Sequence, residues 1–159
     1  MTSEVLLNKK PIVIKHAQGA PGLRFLGMGA FLNPSRGVQK LLTLLKNNTS
    51  WATIRSKKDI KTMLRTSSVV VSIWSDNEII GFGRATTDEI FRAVLWDVVV
   101  EKRFQNKGLG KIIVQTILES NKVSKVEKVY IMTTNCKFFY SNLGFKIVKD
   151  QNLMRLEKI

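Results

Sequence analysis

The chain has 159 residues, 44% hydrophobic and 24% charged, which suits one packed domain and excludes a disordered chain. Lys plus Arg outnumber Asp plus Glu by 26 to 12, a net charge of +14 whose field attracts polyanions. A single cysteine, Cys136, excludes an internal disulfide framework and a cysteine zinc cluster, and a single histidine, His16, leaves little with which to build a nucleophile–histidine triad.

In chain order, residues 1–33 read as an irregular arm punctuated by Pro11, Pro21, Gly19, Gly22 and Gly27, with a first strand over 23–32. The opening stretch, 1–10, has neither a secretory apolar core nor a transit pattern, and no apolar run reaches the ~18–20 residues that span a bilayer. We set residues 1–32 apart as an arm with its strand and 33–159 as the main body, within one domain overall. No repeat or linker divides the chain. Asn33-Pro34-Ser35 signals a helix start, and Val38, Leu41, Leu42, Leu44 and Leu45 form its apolar stripe. Ser56 with Asp59 resembles a capping box for a second helix that buries Ile60, Met63 and Leu64.

An antiparallel meander follows: an apolar run over 69–74, a turn at Asp76-Asn77, a return over 78–85, a turn at Asp88-Glu89 and a longer strand over 91–100. Gly108 then opens a helix with Leu109, Ile112, Ile113, Ile117 and Leu118 on one face, and 126–132 is a buried strand. Strand, helix and strand in this order make a crossover unit, so those two strands are parallel. A short helix over 136–143 and strands over 145–148 and 153–156 complete an α/β fold with a mixed sheet covered by helices.

The chemistry concentrates in Val98-Val99-Val100-Glu101-Lys102-Arg103-Phe104-Gln105-Asn106-Lys107-Gly108-Leu109-Gly110-Lys111. Here a strand ends, a glycine-bearing loop turns and an amphipathic helix begins. The first amides of a helix lack internal partners and lie at the positive end of its dipole. Glycines let such backbone approach a phosphate closely, and Lys107 and Lys111 add charge. A Walker loop fails twice, since Ile112 follows Gly110-Lys111 and Gln105 stands where the first glycine belongs. A dinucleotide fingerprint fails at Ile113. Gly81-x-Gly83 lies inside a strand and reads as close packing or a bulge.

Gln105-x-x-Gly108-x-Gly110 resembles the acyl-CoA pyrophosphate loop of the GCN5-related N-acetyltransferases (GNATs). Phe139-Tyr140-Ser141-Asn142-Leu143-Gly144-Phe145 resembles the Phe-Tyr-x-x-x-Gly-Phe segment of the same family. The order, spacing and setting of the two motifs agree, and the resemblance runs from around Asn33 to the C-terminus. A narrower likeness passes through Phe82-Gly83-Arg84-Ala85-Thr86, Phe91 and Leu95-Trp96-Asp97-Val98-Val99-Val100. It is to plant and cyanobacterial acetyltransferases of the serotonin N-acetyltransferase and nuclear-shuttle-interacting type, which have small basic members encoded in algal plastid genomes. One departure is Glu101-Lys102, where an acidic residue and proline often follow the strand; the cradle does not need the proline.

The resemblance implies the GNAT fold, with antiparallel N-terminal strands and a splayed parallel central pair. It implies acetyl-CoA as co-substrate and no metal. The backbone of Val98, Val99 and Val100 would hold the pantetheine arm, with help from Asn135. Gln105, Asn106, Lys107, Gly108, Leu109, Gly110 and Lys111 would form the pyrophosphate loop. Tyr140 matches the family tyrosine beside the sulfur; a phenol near pKa ~10 and a thiol near ~8.5 differ little, so it could donate to the thiolate and pass a proton.

Asp97, in an apolar strand, has two readings: the base for the amine, or a structural carboxylate that holds a loop or pairs with Arg84 or Arg92. A free carboxylate is a far weaker base than an alkylamine, so the first reading requires burial to close the gap. Strand alternation puts Asp97 and Trp96 on opposite faces, and a bulge would change which one meets the site. Phe91, Trp96 and the region 33–51 are candidate walls for the acceptor.

The implied reaction moves an acetyl group from acetyl-CoA to a primary amine in a ternary complex. The acceptor is an arylalkylamine such as serotonin, or a protein lysine or N-terminus. Competing readings are a catalytically weak acetyl-CoA sensor and a basic module on RNA or ribosomes. The charge has three explanations: nucleic acid, a polyphosphate cofactor, and a general enrichment in Lys and Asn such as Lys46-Asn47-Asn48. We rank nucleic acid last, expect no membrane partner, and expect a monomer or homodimer. By resemblance the site of action is the chloroplast stroma, with a cyanobacterial cytoplasm as the alternative.

Overall fold

A computed structural model of the protein describes residues 10–158; residues 1–9 of the expected arm, and Ile159, lie outside the described residues. The strands are β1 (Ile12–Lys15), β2 (Val69–Ser75), β3 (Glu78–Thr87), β4 (Arg92–Val100) and β5 (Lys128–Ile131). The helices are α1 (Pro21–Leu26), α2 (Gly37–Asn48), α3 (Lys57–Arg65), α4 (Leu109–Leu118) and α5 (Lys137–Asn142). One sheet runs in the order β1-β2-β3-β4-β5, antiparallel up to β4 and parallel between β4 and β5. This is the mixed architecture that the crossover pattern implies.

Two apolar layers sandwich the sheet. One joins Leu23, Leu41, Leu45, Ile60 and Leu64 of α1, α2 and α3 to Val70, Trp74 and Phe82. The other joins Ile113, Val114 and Ile117 of α4 and Tyr140 of α5 to Val71, Ile73 and Leu95. Strand β2 is buried along its whole length because both faces are covered. Ser72 remains polar within it, and its hydroxyl is satisfied by Trp74 Nε1 at 2.8 Å and His16 Nε2 at 2.7 Å.

The expected capping box is present. Ser56 Oγ accepts from the Asp59 amide at 3.2 Å, and Asp59 accepts from the Ser56 amide at 2.7 Å. Asp76 and Asn77 both take left-handed backbone, φ 45° and 66°, as a tight hairpin turn requires. Close packing at Gly81-x-Gly83 is also observed: a Cβ on Gly83 would stand 2.4 Å from Ile113 Cγ2.

The chain ends differ from expectation. The first strand is Ile12–Lys15, not 23–32. Pro21 starts a six-residue helix that Gly27 stops at φ 60°, burying Leu23 while Phe25 and Leu26 stay exposed. Helix α2 begins at Gly37, beyond the Asn33-Pro34-Ser35 signal, where a Cβ would meet Leu23 Cδ1 at 2.4 Å. Residues 145–148 and 153–156 are not strands among the described residues; Leu153, Met154 and Leu156 are exposed and join no ladder.

Strand β4 contains a bulge that reorients its end. Phe82 pairs with Val99 and Arg84 with Trp96, so Asp97 and Val98 together oppose Gly83. Asp97 takes φ 53°, a left-handed conformation that aspartate tolerates better than most side chains. The phase of the strand flips there. Ala93 and Leu95 belong to the α4 layer, yet Val99 belongs to the α2 layer, while Val98 and Val100 pack against α4.

Candidate active site

Strands β4 and β5 are paired only from Arg92–Lys128 to Leu95–Ile131. Beyond Leu95, β4 continues to Val100 with no strand on its β5 side among the described residues. Because β5 ends at Ile131, the two strands part and a cleft opens between them. The cleft has a volume of about 920 Å³ and is lined by residues 95–100, by 104–106 and 108–111, by 131–136, and by Phe139 and Tyr140. Its other wall is residues 48–51 and Arg55, at the end of α2 and the start of α3.

At one end lies the glycine loop. A short 3-10 turn, Lys102–Phe104, leads into it with Phe104 buried. The loop is tied at both ends: the Lys102 amide donates to Asn48 Oδ1, and Gln105 Nε2 donates to the Val100 carbonyl, both at 3.0 Å. Asn106 and Gly108 take left-handed backbone, φ 60° and 81°. A Cβ on Gly108 would meet nothing within 4 Å, so the backbone there borders open space. At Gly110 a Cβ would meet Phe139 Cζ at 3.2 Å, so the absent side chain lets the head of α4 sit against α5.

The first intrahelical bond recorded at this end runs from the Ile112 amide to the Gly108 carbonyl at 3.1 Å. The amides of Leu109, Gly110 and Lys111 precede it and face the cleft end of a ten-residue helix with no acidic residue in its first turn. These features fit a diphosphate: donors without internal partners, a positive dipole end, no Cβ in the way, and Lys111 alongside. Lys107 is not part of the lining; its ammonium lies over the Phe104 ring, 5.7 Å from the centroid.

Tyr140 lines the cleft from the opposite side and is largely buried. Its ring meets Phe139 and Phe145 edge to face, at centroid distances of 4.9 and 5.7 Å. Gly144, at φ 91°, ends α5 and lets the chain turn back, so that the Phe145 amide reaches the Tyr140 carbonyl at 3.1 Å. That return explains the Phe-Tyr-x-x-x-Gly-Phe spacing in physical terms. Burial, with the charge of Cys136 adding to it, pushes the Tyr140 phenol up to about 12. Asn135 and Cys136 line the cleft just before α5.

Asp97 lies at the centre, its side chain 5% exposed. Arg84 Nε donates to Oδ2 at 2.6 Å and Arg55 Nη1 donates to Oδ1 at 3.0 Å. Arg84 is thus one of the partners foreseen from the sequence. Arg55 takes the place suggested for Arg92, which pairs with Glu127 instead. Trp96 lines the cleft and donates from Nε1 to Thr86 Oγ1 at 2.8 Å. Phe91 is not in the cleft: it lies at the far end of β4, where its amide donates to Asp88.

Sequence reasoning missed Arg55, Thr133 and Thr134 as lining residues. Arg55 lies just before the Ser56 cap with its guanidinium 4.7 Å from the Trp51 ring, and nothing in the sequence links it to Asp97, 42 positions away. Among the described residues no group of three His, Cys, Asp or Glu side chains could hold a metal ion, and no helix is long and apolar enough to cross a membrane.

Residues 66–147 match the family model described as an acetyltransferase (GNAT) domain. A protein of Pyropia yezoensis named N-acetyltransferase ycf52 is 32% identical over 101 residues, 60% of this chain and 57% of that protein. The Arabidopsis thaliana protein named GCN5-related N-acetyltransferase 2, chloroplastic, is 32% identical over 120 residues, 71% of this chain and 45% of that protein. The chain spans about half the length of the curated relatives it matches. A crystal structure of a GNAT-family protein from Xanthomonas campestris superposes with a TM-score of 0.70 at 16% identity, covering 94% of each chain.

Proposed function

The chain belongs to the GNAT acetyltransferase family, and on that premise we propose that it transfers an acetyl group from acetyl-CoA to a primary amine. The observation that carries this reading is the parting of β4 from β5 directly beside a glycine-opened helix N-terminus, with Tyr140 across the gap.

In this reading the amides of residues 108–111 and the Lys111 ammonium grip the diphosphate. The pantetheine arm lies along the unpaired edge of Val98, Val99 and Val100, with Asn135 on the other side. The Val100 carbonyl is already taken by Gln105, so Gln105 acts by holding the loop to the strand. An amide on this edge polarises the thioester carbonyl as an oxyanion donor does. A neutral amine attacks, the C–N bond forms, the C–S bond breaks, and the amine's proton leaves to solvent.

Tyr140 donates a hydrogen bond to the departing sulfur. With the phenol near 12, well above a thiol's ~8.5, the proton rests mainly on oxygen. Tyr140 therefore stabilises the thiolate more than it protonates it. Both oxygens of Asp97 accept from guanidinium groups, so we assign it to fixing the bulge and Arg55 and give proton removal to water. Trp51 and Trp96 wall the acceptor end. A chloroplast setting is supported by the relative named chloroplastic.

The test is release of free CoA from acetyl-CoA against a panel of arylalkylamines, amino acids and lysine peptides, paired with heat denaturation. Protection by acetyl-CoA together with release for some amine is the expected result. Protection without release on any amine would favour a sensor, and tight RNA binding without any coenzyme effect would favour a nucleic-acid module.

A further inference from the structure

We propose that the acceptor amine itself bears an anionic group, a carboxylate or a phosphate, and that Arg55 is its anchor. The proposal rests on the acetyltransferase reading above and names the class of its second substrate.

The argument begins from charge. Asp97 is the only acidic side chain among the described residues lining the cleft. It is met by two guanidiniums, Arg84 and Arg55, so the cluster keeps one positive charge in excess. Each carboxylate oxygen already accepts from a guanidinium and the side chain is only 5% exposed, so an incoming ammonium would compete there with two resident cations. A cationic acceptor such as a lysine tail or a simple arylalkylamine meets like charge at the site and an overall +14 around it.

The two arginines are not equivalent. The Arg84 side chain is 13% exposed and does not line the cleft, so it serves Asp97 from behind. Arg55 does line the cleft, and its side chain is 28% exposed. Its recorded donations, to Asp97 Oδ1 at 3.0 Å and Met63 Sδ at 3.7 Å, both come from Nη1. The rest of the planar fork remains to receive an oxyanion, and that fork suits a carboxylate or phosphate. Asp97 below and the Trp51 ring alongside hold the guanidinium in place before any ligand arrives. Trp51 is half exposed and supplies an apolar wall for the rest of the acceptor.

The experiment follows CoA release for two matched pairs: tryptophan against tryptamine, and 2-aminoethyl phosphate against 2-aminoethanol. Wild type, Arg55→Met and Arg55→Lys are compared. In at least one pair the anionic member is preferred in kcat/KM by about tenfold or more. Arg55→Met removes that preference, Arg55→Lys keeps part of it, and high salt weakens it. Equal or inverted preference in wild type, or a preference unmoved by Arg55→Met, overturns the proposal.

If acetyl-CoA binds but no amine is turned over, CoA-loaded protein is titrated with N-acetyltryptophan and N-acetyltryptamine. Tighter binding of the anion, lost in Arg55→Met, supports the anchor; equal binding or none overturns it. Failure of the acetyltransferase reading has a separate signature, the absence of any heat protection by acetyl-CoA.

Discussion

Gly83, on β3 beneath α4, and Gly108, at the head of α4, stand under opposite constraints. At the seam between β3 and α4, a Cβ on Gly83 would press on Ile113 at 2.4 Å and on Ile117 at 3.2 Å. At the head of α4, a Cβ on Gly108 would meet nothing within 4 Å. The first glycine is required by the protein's own packing. The second borders open space among the described residues, beside the first helix amides, which have no intrahelical partners. Density of packing thus separates the closed part of the fold from the part to which the proposed function assigns a ligand.

Substitution at both sites sharpens the contrast most. Gly83→Val should destabilise the fold by about 3 kcal/mol, because overpacking at a seam with two isoleucines has no cheap relief. Urea denaturation reads this, and a midpoint like wild type would mean that the seam yields. Gly108→Glu should cost only ~1 kcal/mol of stability, from left-handed backbone, yet abolish protection by acetyl-CoA. Retained protection would remove the cradle.

Acid titration tests how closed the antiparallel side is. Burial lowers the His16 imidazole from 6.5 to about 4. Above pH 6.5 the ring is neutral whether the chain is folded or not. As pH falls from 6.5 towards 4 the unfolded chain takes the proton first, so stability declines, by at most ~3 kcal/mol. Denaturation of His16→Gln should lack this decline; an identical pH profile in the two proteins would show that His16 is not its source.

On the open side, Tyr140→Phe should reduce kcat by about 10- to 100-fold while leaving acetyl-CoA protection intact. With the phenol near 12, wild-type turnover should show no alkaline limb from Tyr140 between pH 8 and 10. Unchanged kcat in the variant would remove the donor role.

The smallest effect lies in the wall between the two regions. Ser56→Ala loses the cap of α3 and should cost ~1 kcal/mol by urea denaturation. It should also loosen the neighbouring Arg55 more than the glycine loop.

What the sequence reveals follows the range of the interactions. The Ser56–Asp59 box, the Asp76-Asn77 turn and the glycine loop are decided within a few residues, and all are legible in the sequence. The mixed sheet is legible too, because turn length and the crossover fix strand direction. The first strand is misplaced because Ile12–Lys15 is defined by pairing with β2, more than fifty residues on, whereas the apolar run at 23–32 looks like a strand in isolation. Residues 145–148 and 153–156 have strand-like composition but pair with nothing described. In the cleft, the glycine loop and Tyr140 lie within local motifs. Arg55 does not: its partner Asp97 is 42 positions away, and only the fold brings them together. Phe91 sits just before the strand that carries Trp96, at the end away from the cleft, a difference that composition does not show.

The bulge at Asp97 makes the tail of β4 depend on an odd count. Deleting one residue there would leave the apolar content untouched and still turn the strand's end inside out: Val98 and Val100 would trade layers with Val99. The amides and carbonyls now turned to the cleft would trade places with those bonded to β3. For this strand, length modulo two is as much a part of the design as any side chain.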